Sequence, residues 1–255
     1  MISVHVFGGW SECDRRPHAA VITGLSRQFF NEWLPPVKPW TYMDSSTDRA
    51  IATQLLSYGA TVFIDGQSQS VPDAASLPSQ PFSVTHVKLK GRELKENELQ
   101  MIAELGELRV LHLAGCRILD NHVRILTQNR NLRLLWLYNN PLGNRSLASI
   151  AELPELISLN LNNTAVTEVA ALAPLTRLRA LHLGYLGLED DQLAVLRNVE
   201  QLETLHLPAN PLNDRCVSML KNLPKLREIH LQGTRIGNQG FLELHESLPD
   251  CAILR

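Results

Sequence analysis

The sequence predicts an α/β solenoid: a right-handed horseshoe of parallel concave strands backed by short convex helices. Two observations predict it. The segment Leu132 to Leu142 reads L-x-x-L-x-L-x-x-N-x-L, and its first position recurs at Val84, Leu108, Leu132, Leu156, Leu178, Leu202, Leu226 and Cys251, with spacings of 24, 24, 24, 22, 24, 24 and 25 residues. A fixed period of that length marks stacked supersecondary units, none of which buries its apolar face alone. The composition agrees: 44% of residues are hydrophobic but only 5% aromatic. Leucine therefore supplies most of the core, as repeated layers require.

This period and leucine signature resemble the leucine-rich-repeat family over residues 84–255, as seven repeats plus a partial eighth. The resemblance implies one strand and one return segment per repeat. It also implies a binding scaffold, without naming what is bound.

Residues 1–43 do not match the repeat and form an N-terminal extension. Ile2 to Phe7 reads as a short strand ended by Gly8-Gly9, and Ala19 to Trp33 as a weakly amphipathic helix stopped by Pro35-Pro36. Pro35, Pro36 and Pro39, with Trp33, Trp40 and Tyr42, make a rigid connector that either packs on the solenoid or docks elsewhere.

Residues 44–83 read as an N-terminal cap. Asp44, Ser45, Ser46 and Thr47 offer N-caps, Ile51, Leu55 and Leu56 share a helical face, and Gly59 ends the helix. Ala60 to Ile64 is a strand turning at Asp65-Gly66, and Val84 to Leu89 is the next strand. The order resembles the cap that leads into many bacterial leucine-rich repeats, and would cover the first leucine layer. It departs from that pattern at Gln67 to Phe82, rich in Ser, Pro and Gln, which is expected to be a mobile surface loop.

Within each repeat the L-x-L core, such as Leu111-His112-Leu113, alternates inward leucine with an outward variable residue and is a short strand. Segments 96–104, 120–127, 144–151, 190–196, 214–221 and 238–245 carry apolar residues at helical spacing and read as convex helices. The repeat from Leu156 is two residues short, and with Pro174 it has room only for a 3₁₀ return, so the coil should bend differently there. Cys251 to Arg255 begins a further strand without a closing helix. That edge predicts self-association or cover from the N-terminal extension.

A formal charge of −2 excludes a global basic field, so neither nucleic acid nor an anionic membrane is expected as partner. No run approaches the length of a membrane helix, and no signal-peptide pattern opens the chain. Cys13, Cys116, Cys216 and Cys251 show no paired or zinc-type spacing, which fits a reducing cytoplasm. No catalytic motif is present, so a non-enzymatic scaffold without cofactor is expected.

The pattern's ninth position holds Arg92, Cys116, Asn140, Thr164, Leu186, Asn210 and Thr234. The Asn, Thr and Cys side chains there can bond backbone left unpaired as the chain leaves each strand. Between the strand leucines stand Lys88, His112, Trp136, Asn160, His182, His206 and His230, all on one face. The candidate partner-binding residues are Trp136, Tyr138, Asn160, Asn162, His182, Tyr185, His206 and His230, with Trp136 and Tyr138 as exposed aromatic anchors for a protein partner. The His182, His206 and His230 ladder has three readings: a solvated repeat column, a proton-sensitive strip with imidazole pKa values lowered by mutual repulsion, or a metal site. An open, nearly linear row converges poorly on one ion.

Overall fold

The computed structural model describes residues 45–255. The strand, helix and connector expected in residues 1–43 lie outside the described residues.

The first helix, α1, runs Ser45–Ser57 and buries Ile51, Ala52 and Leu55. Gly59 stops it at φ +77°, a left-handed conformation that costs glycine nothing. The Val84 N–H donates to Asp48 Oδ2 at 2.7 Å, tying the helix to the sheet. Strand β1 (Thr61–Ile64) pairs antiparallel with β2 (Val84–Lys90), so that Thr61 faces Lys88 and Phe63 faces His86. The first parallel strand is thereby not an open edge.

The segment between β1 and β2, expected to be a mobile surface loop, is instead anchored. Val71 bridges back to β1, its N–H donating to the Val62 carbonyl at 2.8 Å. Asp73 caps a 3₁₀ turn at Ala74–Ser76. Val71, Leu77 and Phe82 are buried, and the Arg49 guanidinium lies 5.0 Å over the Phe82 ring. The Ser, Pro and Gln content set the expectation, but three spaced apolar residues decide the outcome, because each removes its side chain from water.

From β2 onward the strands run parallel: β3 (Val110–Ala114), β4 (Leu134–Trp136), β5 (Ser158–Asn160), β6 (Ala180–His182), β7 (Thr204–His206), β8 (Glu228–His230) and β9 (Ala252–Leu254). Among the described residues the nine strands form one sheet in sequence order. Equivalent repeat positions pair directly, as in Leu111↔Leu135, Leu159↔Leu181 and Leu181↔Leu205, and these leucines are at most 1% exposed. One-in, one-out alternation along each strand thus stacks leucine on leucine through the core.

The returns divide into two kinds. Helices α2 (Glu96–Ala103), α3 (Asp120–Leu126) and α4 (Asn144–Ile150) are α-helical. The short repeat returns through a 3₁₀ turn at Ala170–Leu172, as its missing residues and Pro174 lead one to expect. The next return corrects the expected α-helix: Asp190–Asn198 is 3₁₀ throughout. Asp190, Leu193 and Leu196 are buried at every third residue and Val199, just beyond the segment, continues the spacing, with Val195 also buried beside them; a period of three matches three residues per turn. The following return begins as 3₁₀ at Asp214–Cys216 before continuing as α5 (Val217–Leu220). Helix α6 (Asn238–Ser247) precedes β9.

The exit from each strand repeats one geometry. Gly91, Gly115, Asn139, Asn163, Tyr185, Ala209 and Gly233, one per repeat, all have φ between +52° and +70°. The next residue secures the turn. Asn140 donates to the Leu113 and Leu137 carbonyls at 2.6 and 2.8 Å and accepts from the Ile118 N–H at 3.0 Å. Asn210 bonds the Leu183 and Leu207 carbonyls and the Leu186 and Leu188 N–H groups in the same way. Thr164 and Thr234 have one hydroxyl proton each and donate it to the Leu161 and Leu231 carbonyls. Cys116 is buried against the Leu89 carbonyl, and Cys216 is buried in the core, consistent with their expected structural roles.

A second ladder was not foreseen. Asp120, Asp190 and Asp214, each first in its return, accept from the N–H of Gly143, Asn213 and Gly237 at 2.6, 2.9 and 2.7 Å. Asn144 does the same for Thr167 at 2.9 Å. Each such carboxylate or amide staples its repeat to the next. A bond spanning 23 residues leaves no local trace in the sequence.

Candidate functional site

Strand pairing places the predicted column in register. Lys88↔His112, His112↔Trp136, Trp136↔Asn160, Asn160↔His182, His182↔His206 and His206↔His230 are all direct partners. At strand spacing the rings meet, and they form two blocks.

The first block is aromatic. The His112 ring lies 5.3 Å from Trp136, edge on, and 5.2 Å from Tyr138, and its Nε2 is 3.1 Å from the Tyr138 hydroxyl. The Trp136 indole N–H donates to Ser158 Oγ at 3.1 Å. Trp136 was expected to face solvent. It is 7% exposed, because it packs beside His112 and approaches His182 to 6.4 Å. Tyr138 remains half-buried.

The second block is a row of imidazoles. The His182 and His206 rings lie 4.0 Å apart, and His206 stacks on His230 at 3.8 Å. His230 Nε2 lies 2.6 Å from Glu228 Oε1. His182 and His206 are buried, and His182 Nδ1 and Nε2 and His206 Nε2 have no hydrogen-bond partner among the described residues.

Burial sets the electrostatics of the face. Desolvation, then the charge of His230, lowers the His182 pKa to about 3. Desolvation, followed by repulsion from His182 and His230, takes His206 to about 2 against the pull of Glu228. The pKa values of His182 and His206 are lowered as expected, but loss of water is a larger cause than the mutual repulsion expected. His112 falls to about 4 through desolvation with Lys88 and Lys90 nearby, and His86 to about 4 through desolvation with Lys88 and Arg109. Glu228 stays below the ordinary carboxylate range, chiefly through its bond to His230. At neutral pH His86, His112, His182 and His206 are therefore neutral.

The remaining expected residues divide. Asn160 accepts from the Asn162 N–H at 3.0 Å, and Asn162 from the Gly184 N–H at 2.6 Å, so both side chains also shape the backbone. Gly184 is required where it stands, since a Cβ there would meet Pro208 Cγ at 2.7 Å. Tyr185 is 55% exposed at φ +61° and has no ring contact among the described residues. Its exposure leaves it accessible, as its place among the candidate partner-binding residues requires.

No family model matches the chain, and no curated protein matches it. Among solved structures it is similar to an internalin C2 from Listeria monocytogenes, with 19% identity and a TM-score of 0.55 over 82% of this chain and 92% of that one. A Leptospira interrogans leucine-rich-repeat protein matches at 20% identity and a TM-score of 0.47 over 66% of this chain and 48% of that one. The fold is a leucine-rich-repeat solenoid. Among the described residues no helix is long and apolar enough to cross a membrane.

Proposed function

We propose that the chain is a non-enzymatic protein-interaction scaffold whose partner docks on the concave strand face, with Tyr185 and Tyr138 as its accessible aromatic contacts. The observation that carries this reading is Tyr185. Of the seven equivalent strand exits three use Gly, one Ala and two Asn, whereas this one holds an exposed tyrosine at φ +61°. A left-handed backbone at a bulky residue costs about 1–2 kcal/mol and the exposed ring recovers nothing from the core. An aromatic kept at that cost is accounted for by contact with something outside the chain.

In this reading the buried rings and the exposed ones divide the work. Trp136, Asn160, His182 and His206 hold the strand surface rigid, and Tyr138, Asn162, Tyr185 and His230 present groups at fixed spacing. Preorganisation of this kind lowers the entropy lost on binding. The thiols of the described residues support a non-catalytic reading: Cys116 is raised by burial, Cys216 to about 12 and Cys251 to about 11, so none of these three is a ready nucleophile. These three, buried and free among the described residues, also fit a reducing, cytoplasmic setting.

The test compares capture of a partner by the wild-type chain with capture by Tyr185→Asn, a substitution native to two other repeats at this position. Loss of binding by about 2 kcal/mol or more, with the fold intact, supports the concave assignment. Undiminished binding by Tyr185→Asn removes its main support.

A further inference from the structure

We propose that His206, Glu228 and His230 form a binding site for a divalent transition-metal ion of zinc's chemical class, where β7 meets β8. Three observations carry it. His206 and His230 are direct strand partners, and Glu228 lies two residues before His230, so alternation puts all three on one face. One ligand atom from each residue lies within 4.8 Å of the other two. His206 is 6% exposed, and its buried Nε2 has no hydrogen-bond partner among the described residues.

The third observation separates this cluster from an ordinary histidine and carboxylate pair. The bond between His230 Nε2 and Glu228 Oε1 at 2.6 Å satisfies those two groups and leaves His206 unserved. A buried polar atom without a partner is costly, and such atoms in folded proteins commonly mark an ion or a functional group. A metal shared by the three would satisfy it. The adjustment required is small: a tetrahedral ion with bonds of about 2.0 Å holds its ligand atoms about 3.3 Å apart, which rotation of the stacked imidazoles can reach. The imidazole row alone converges poorly on one ion, and Glu228, from the side, completes a set of three ligand atoms within 4.8 Å of one another.

The donor set selects the ion. Two imidazoles and one carboxylate suit zinc and its neighbours, whereas Mg²⁺ and Ca²⁺ favour oxygen ligands in larger number. Three protein ligands leave a fourth position for water or for a group from a bound partner. His182, whose ring is 4.0 Å from His206, limits how far that imidazole can swing away from the site.

The test is calorimetric titration of the full chain with ZnCl₂. The proposal expects one equivalent of Zn²⁺ whose affinity falls about tenfold or more in each of His206→Ala and Glu228→Gln, and is unchanged in His112→Ala, which lies outside the cluster. Zn²⁺ should also raise the melting temperature of wild type and not of Glu228→Gln, with Mg²⁺ and Ca²⁺ inactive. Should His206→Ala fail to fold, Glu228→Gln and His230→Gln decide, because both side chains are less buried than His206, at 22% exposed each. Absence of Zn²⁺ binding by wild type overturns the proposal, as does Zn²⁺ binding of equal affinity in Glu228→Gln and His230→Gln. Neither result depends on the identity of a protein partner.

Discussion

The two halves of the concave face solve the same packing problem differently. Around β4 the large ring is settled: the Trp136 indole N–H reaches Ser158 Oγ, and His112 meets the Tyr138 hydroxyl. Around β6 and β7 the rings are equally buried, but His182 and His206 keep nitrogens without partners among the described residues. The returns behind them change as well, from the α-helices α2 to α4 to the 3₁₀ segments at 170–172 and 190–198. The comparison teaches that burial alone does not identify a structural residue. A buried polar group that is satisfied supports the fold, whereas one left unsatisfied lowers stability and needs another reason to be there.

The largest expected effect breaks or upholds this contrast directly. Trp136→Ala should destabilise the fold by about 3 kcal/mol or more, since it empties a buried site and orphans Ser158. His206→Leu, of similar burial, should cost no more than about 1 kcal/mol or even stabilise, because it removes an unpartnered nitrogen. Urea titrations that give equal losses for the two would erase the difference between the halves.

Next in size are the strand-exit asparagines. Asn140→Ala and Asn210→Ala should each cost about 2–3 kcal/mol, because each strands several buried backbone groups. Thr164→Ala, which loses one bond, should cost about 1 kcal/mol. Chemical denaturation of all three checks the order. Similar values for Asn140 and Asn210 would sharpen the comparison by confining it to the concave rings.

Much of this was legible in the sequence, for a physical reason. Where one residue type repeats at one spacing, as the leucines and the strand-exit Asn and Thr do, the chain states its own register. The column from Lys88 to His230 followed from alternation on strands alone. What was not legible depends on neighbours brought together by the fold: the partner of Trp136 at Ser158 and the Asp120 bond to Gly143, one repeat away in sequence, and the anchoring of Val71 on Val62 within the cap. The 3₁₀ return at 190–198 was readable in principle, since Asp190, Leu193, Leu196 and Val199 recur every third residue, but an apolar stretch following an acidic start was taken for an α-helix.

A pH-dependent effect follows from the histidines. His86 and His112 have folded pKa values of about 4 against an ordinary 6.5. The unfolded chain therefore binds more protons between those values, and stability should fall as pH drops from 6.5 towards 4. The stability is fully present above pH 6.5, and protonation of Glu228, whose pKa is also lowered, acts in the same direction at lower pH. Melting temperatures constant from pH 7 to pH 4 would contradict the burial of these rings. The smallest effect concerns Tyr185, where Tyr185→Asn should raise stability by about 0.5–1 kcal/mol by relieving the left-handed backbone.

The concave-face assignment rests on the same side chain, and site-specific photo-crosslinking tests it most directly. A photoreactive phenylalanine replaces Tyr185 in one protein and Lys221, paired on the convex side with Glu243 at 2.7 Å, in another. The account expects one partner to crosslink from position 185 and not from position 221, and its capture to survive Lys221→Ala but not Tyr185→Asn. A partner that crosslinks only from position 221, and is lost with Lys221→Ala while Tyr185→Asn retains it, would place the interaction on the opposite face.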